Sequence, residues 1–134
     1  MSLIDIIDKA IGPSSHFDVA CVVYEMYKEK YRFTSTNKWY TYDEDTQHWK
    51  VLKYSFELSM KLSIDVSRKF LERAEYWSNQ SRESIDREDY NYSIMCQHRA
   101  KLLSDIGLKL RSHGYKNIII KECKELFYDK GFPQ

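Results

Sequence analysis

The sequence predicts an α+β fold: a mostly helical domain with one small antiparallel three-stranded sheet, at about residues 32–52, packed on helices. Two observations predict it. On either side of that segment apolar residues recur every three or four positions, the spacing of one helix face. Inside it, aromatic and β-branched residues come in short runs separated by polar turns. A chain of 134 residues favours one domain and is long enough to bury a core. Three short strands are marginal alone, so one face of the sheet must lie on the helices.

Leu3 to Ile11 reads as a short helix, with Leu3, Ile6, Ile7 and Ala10 at helical spacing and Gly12-Pro13 as its stop. Ser14 and Ser15 offer caps for a second helix from His16 to about Tyr31, striped by Phe17, Ala20, Tyr24, Tyr27 and Tyr31. The period then changes. Arg32-Phe33-Thr34-Ser35, Lys38-Trp39-Tyr40-Thr41-Tyr42 and His48-Trp49-Lys50-Val51 form a meander of three strands. Beyond about Tyr54 a long helix is predicted from Leu58, Leu62, Val66, Phe70, Ala74 and Trp77, and Ser78 to Asp89 is expected to be a solvated helix end plus a loop. A further helix runs from about Tyr90 to Arg111, with Met95, Leu102, Leu103, Ile106 and Leu110 inward, and Gly114 is expected as a left-handed cap after it. Lys116 or Asn117 opens the last helix, whose inward face is Ile118, Ile119, Cys123, Leu126 and Phe127 and which fades at Gly131-Phe132-Pro133.

Hydrophobic residues at 43% and charged residues at 31% match ordinary globular proteins, and the unusual figure is the 15% of aromatic residues, which include eleven Tyr. A net charge of +1 gives no global steering towards nucleic acid or anionic membrane, so any DNA contact must be local. Three widely spaced cysteines, Cys21, Cys96 and Cys123, point to reduced thiols and an intracellular setting. The longest apolar runs, such as Ile118 to Ile120, fall far short of the roughly 20 residues of a membrane span, and Met1-Ser2-Leu3-Ile4-Asp5 has no secretory pattern.

Catalytic chemistry finds little footing. Gly12, Gly107, Gly114 and Gly131 sit singly, and none begins the glycine-Lys-Ser/Thr run that cradles phosphates, so the chain is expected neither to bind nor to hydrolyse nucleotide. The nearest metal candidate, Cys96 with His98, lacks paired spacing to Cys21, His113 or Cys123, and buried thiols with surface imidazoles are the plainer reading. His48 reads as a strand residue without a positioned nucleophile. Asp43-Glu44-Asp45 and Glu83 to Asp89 fall in predicted loops, unlike carboxylates held on rigid strands around cations.

The informative region is aromatic. Eleven of the twenty aromatic residues lie between Phe17 and Phe56, interleaved with Lys28, Lys30, Arg32, Lys38, Lys50 and Lys53. Rings that stack on bases beside cations that meet phosphates hold single-stranded nucleic acid, and the same rings would serve to pack a small sheet on helices. Strand alternation puts Trp39 and Thr41 on one side and Lys38, Tyr40 and Tyr42 on the other, so only one set can be core. The candidate nucleic-acid-binding residues are Arg32, Lys38, Tyr40, Lys50 and Lys53.

His16-Phe17-Asp18-Val19-Ala20, Tyr24 to Tyr31, Lys38-Trp39-Tyr40-Thr41-Tyr42, His48-Trp49-Lys50 and the closing run Lys116 to Asp129 together resemble a known domain. It is the accessory domain that precedes the superfamily-3 ATPase in poxvirus-type and giant-virus primase-helicases. The resemblance covers about His16 to Phe132, with Leu58-Ser59 and Val66-Ser67 fitting between. In that family the last helix leads on to an Asn-Gly-Val-Tyr-Asp-Leu motif, the Walker segments and an arginine finger, none of which occurs before Gln134. Residues 1–134 are therefore expected to be a single excised domain, without a cofactor of its own and mainly monomeric. The resemblance implies a parent replicative DNA helicase that forms a hexameric ring in the viral factories of the host cytoplasm and uses ATP and magnesium in its ATPase module. That module and neighbouring subunits are the implied partners, with single-stranded DNA as a further one and no membrane. The role implied for this domain is a non-catalytic collar that orders the ring or guides one strand to the motor. A domain that recruits replication factors without touching DNA is the alternative.

Overall fold

The computed structural model describes residues 1–54 and 56–132. Pro133, where the last helix is expected to fade, lies outside them. The element order is α1 (Leu3–Lys9), α2 (Ser15–Tyr27), β1 (Tyr31–Phe33), β2 (Trp39–Asp43), β3 (His48–Val51), α3 (Phe56–Lys61), a π-helical turn (Leu62–Val66), α4 (Ser67–Asp86), α5 (Tyr90–Lys109) and α6 (His113–Phe127). This is the predicted mostly helical α+β domain with its antiparallel meander, ordered β1-β2-β3. No helix among the described residues is long and apolar enough to cross a membrane.

Helix α1 starts in a capping box: Ser2 Oγ accepts from the Asp5 N–H, and the Ser2 N–H donates to the Asp5 carboxylate, each at 3.2 Å. It is pinned to α4 by Asp8, which accepts two hydrogen bonds from Arg73 at 2.8 and 2.9 Å and one from the Trp77 indole at 3.1 Å. Helix α2 ends at Tyr27, earlier than its apolar spacing suggests, and Tyr31 opens β1 instead. Its buried face is Val19, Ala20, Val22 and Val23, while Phe17 is exposed. Of the predicted stripe Phe17 alone is exposed: Ala20 is buried, Tyr24 and Tyr27 pack partly buried against the core, Tyr24 edge-on to Phe127 of α6, and Val19, Val22 and Val23 widen the buried face.

The stripe Leu58, Leu62, Val66, Phe70, Ala74 and Trp77 is buried throughout, as its spacing predicts. An α-helix cannot keep such a stripe on one side for long. At 3.6 residues per turn each step of four advances about 40°, so four such steps carry the stripe about 160° around the axis. The wider π turn over Leu62–Val66 takes up this drift by admitting an extra residue.

Helix α4 continues to Asp86, so Ser78 to Asp86 is helix and Glu83 lies on it, contrary to the expected loop. Its serines explain both the helix and its misreading. They look solvated in sequence, yet Ser81 and Ser84 are buried; the Ser81 and Ser93 hydroxyls share a 2.7 Å hydrogen bond across to α5, and Ser84 Oγ donates to Gln80 O at 2.6 Å. Small residues let α4 and α5 approach closely. At Gly107 an added Cβ would meet Leu71 Cδ2 at 2.8 Å, and Ser67 Oγ donates to the Gly107 carbonyl at 2.6 Å. Cys96 rather than Met95 faces this seam, and Met95 is exposed.

Gly114 is not a left-handed cap. It lies in the first turn of α6, which begins at His113 after Ser112, and Ile119, Ile120, Cys123 and Phe127 form its buried face with Ile118 turned outward. Among the described residues the left-handed positions are Asn37, Gln47 and Glu88. The first two turn the β-hairpins and Glu88 ends α4, where Asp89 N–H donates to Ser84 O at 2.8 Å and Glu88 N–H to Ile85 O at 2.9 Å, the pattern of a Schellman cap without its glycine.

Candidate nucleic-acid interface

Register decides which rings the meander buries. Pairing of Phe33 with Trp39, Tyr31 with Thr41 and Thr41 with Lys50 defines the inner face, and pairing of Arg32 with Tyr40, Tyr40 with Val51 and Tyr42 with Trp49 defines the outer one. The alternation read from the sequence holds: Trp39 is core, and Tyr40 and Tyr42 lie on the opposite face. Inside, Phe127 of α6 is the common partner, with ring centroids 5.1 Å from Tyr24, 6.5 Å from Tyr31 and 5.4 Å from Trp39. Tyr31 donates to Glu57 Oε2 at 2.6 Å, and burial together with this carboxylate raises its phenol well above the ordinary value.

The outer face is an aromatic surface with one guanidinium. Tyr42 packs edge-on to Trp49 at 5.3 Å, and Phe132 packs edge-on to both Tyr40 at 5.0 Å and Trp49 at 5.1 Å. Arg32 lies over the Trp49 ring at 5.0 Å. Its guanidinium donates to the carbonyls of Lys28 and Tyr31, the latter at 2.8 Å, and its Nε stands 3.7 Å from Asp129 Oδ2. Asp129 is held in turn, its N–H donating to Phe33 O at 2.9 Å beside a parallel bridge between Phe33 and Tyr128.

The five candidate residues fall into three places. Arg32 and Tyr40 are cross-strand partners on the outer face. Lys38 and Lys53 are exposed and line one cleft of 420 Å³ with Trp39, Leu52 and Tyr54, at the end of the hairpin where Tyr40 meets Val51. Neither lysine has an ion-pair partner among the described residues. Lys50 belongs to the other face. It pairs with Asp43, whose carboxyl is held below its ordinary range chiefly by the Lys50 hydrogen bond, and lines a polar cleft with Lys30, Thr41 and Glu57.

Trp49, Tyr42, Phe132 and Asp129 complete the outer face and were not among the sequence candidates. Hairpin alternation carries a signal for Tyr42 and Trp49; none exists for Asp129 and Phe132, which arrive from the far end of the chain. Sequence reasoning also missed an exposed apolar ridge beside the cleft of Lys53. Tyr54 stacks on Phe56 at 5.2 Å and 24°, and Phe56, Met60 and Ile64 follow at intervals of four, each half or more exposed. Cys96 is buried while His98 is exposed, and no group of three metal-ligating side chains occurs among the described residues. No family model and no curated protein matches the chain.

Proposed function

We propose that this is a non-catalytic accessory domain of a viral replicative DNA helicase-primase, which steadies the assembly and guides a single strand towards an ATPase module elsewhere in the parent protein. The observation that carries the reading is the meeting of the segments that resemble that family. They come from opposite ends of the chain, yet Tyr24, Tyr31 and Trp39 all close on Phe127, and Asp129 is bonded to Phe33. ATP, magnesium and the hexameric ring belong, in this reading, to the parent protein, working in the viral factories of the host cytoplasm.

Strand guidance is assigned to the outer face and hairpin end: Tyr40 and Trp49 as stacking rings, with Arg32, Lys38 and Lys53 meeting phosphates. Fluorescence anisotropy with a labelled oligothymidine at low salt tests it. Weak binding is expected, with Tyr40→Ala losing about 1 to 3 kcal/mol of stacking and Lys38→Ala mainly flattening the salt dependence. No binding at tens of micromolar by the wild type and by Phe132→Ala, which uncovers Tyr40 and Trp49, would remove the strand-guiding role. The ridge Tyr54, Phe56, Met60 and Ile64 favours a second reading, in which the domain meets a protein partner without DNA. Tyr54 and Phe56 are about two-thirds exposed and Met60 and Ile64 about half, a contiguous apolar surface of the kind that marks a protein contact. Met60→Glu should then abolish association with the parent's neighbouring subunits while leaving the thermal melt unchanged.

A further inference from the structure

The residues assigned above to a DNA strand are already engaged by the chain itself. Within the four residues from Asp129 to Phe132, a carboxylate lies against Arg32 and an aromatic ring lies against Tyr40 and Trp49. A nucleotide would offer the same two groups to the same two partners, an anion for the guanidinium and a flat ring for the rings. We infer that the segment Asp129–Phe132 is a built-in stand-in for a nucleotide, with Asp129 at the position of a phosphate and Phe132 at that of a base, so that single-stranded DNA binds the outer face only when this segment lifts away. The inference rests on the strand-guiding reading and adds its regulation.

The attachments suit a segment that exchanges. It follows the end of α6 and is held by one backbone hydrogen bond to Phe33, an ion pair at 3.7 Å whose Asp129 side chain is 45% exposed, and the edges of two rings. Its internal bonds travel with it: Gly131 N–H donates to Asp129 Oδ1 and Phe132 N–H to Asp129 O, both at 3.2 Å. Lifting it leaves the core closed, because Phe127 stays in α6 against Tyr24, Tyr31 and Trp39. Departure takes Asp129 and Lys130 away together, so the net charge of the face is unchanged, but Arg32 loses the carboxylate that faces it. Few buried contacts over a short stretch are what separate local opening from global unfolding.

The test uses the full chain and a labelled oligothymidine at low salt, with thermal melts beside each titration. A ligand whose site is free a fraction of the time binds more weakly by that fraction, so removing the stand-in should tighten binding, by about tenfold if the site is free one-tenth of the time. Phe132→Ala and Asp129→Asn should each do so, the second leaving the ring packing in place and so guarding against any loss of fold in the first. Tyr40→Ala should cancel the gain when combined with Phe132→Ala. Equal or weaker binding by both single variants, with the wild type binding and sensitive to Tyr40→Ala, overturns the stand-in alone. Absence of binding by the wild type and by both variants overturns the strand-guiding reading with it.

Discussion

Replacing Trp39 by alanine should separate the two faces of the meander. The ring is 8% exposed and wedged between Phe33 at 5.1 Å and Phe127 at 5.4 Å. A buried aromatic side chain removes roughly 150 to 250 Å² from water, which at about 25 cal/mol/Å² is about 4 to 6 kcal/mol as an upper bound. Residual compactness of the unfolded chain trims this to about 3 to 5 kcal/mol, the range measured when large core aromatics are truncated. With an unfolding entropy of about 2.1 cal/mol/K per residue over 134 residues, the melting temperature should fall by about 11 to 18 °C. Tyr40→Ala, across the same strand but only half-buried, should cost less than half as much. Circular dichroism melts of the two variants beside the wild type measure both. A Trp39→Ala protein melting within about 4 °C of the wild type, or a Tyr40→Ala protein melting lower than it, would refute the assignment of faces.

Ser81→Ala strands the buried Ser93 hydroxyl and should cost about 1 to 3 kcal/mol in urea unfolding, whereas the double variant Ser81→Ala/Ser93→Ala should recover most of the loss. Glu88→Gly relieves a left-handed residue at the end of α4 and should raise stability by about 0.5 to 1 kcal/mol in the same assay; destabilisation would contradict the cap. Tyr31 has its phenol raised above an ordinary value near 10, mainly by burial and then by Glu57. The stability it contributes is therefore complete below about pH 10 and is lost as the pH climbs towards the raised value. Tyr31→Phe should flatten that alkaline decline in melts from pH 9 to pH 11, and an unchanged decline would exclude the phenol as its source.

The meander was legible because its turns and its period-two runs are local, and His48–Val51 falls where the sequence puts it. So was the Leu58 to Trp77 stripe, since spacing alone marks an inward face. What escaped depended on partners far along the chain. The serines of α4 read as solvent-facing until Ser93 is opposite them, and the spacing of the rings of α2 gives no sign that Val19, Val22 and Val23 share its buried face. The candidate site divides in the same manner. Arg32 and Tyr40 share a face through strand pairing, which alternation anticipates, but Lys50 lies on the other face by that same rule once the hairpin register is fixed. The covering of Arg32 and Tyr40 by residues beyond α6 has no local signal at all.

The π turn over Leu62–Val66 makes this stretch tolerant of losing one residue and intolerant of gaining one. Deleting a residue there would close the wide turn into regular α-helix and leave the turns on either side in register, because the residue removed is the one that the wide turn absorbs. Leu58 and Leu62 would still face the core together with Phe70 and Trp77, and Trp77 would keep its indole bond to Asp8. Closing the turn without the deletion would instead rotate everything after it by about 100° relative to everything before. Homologous chains should therefore include some with one residue fewer between Leu58 and Phe70, and in those this helix should run without a wide turn.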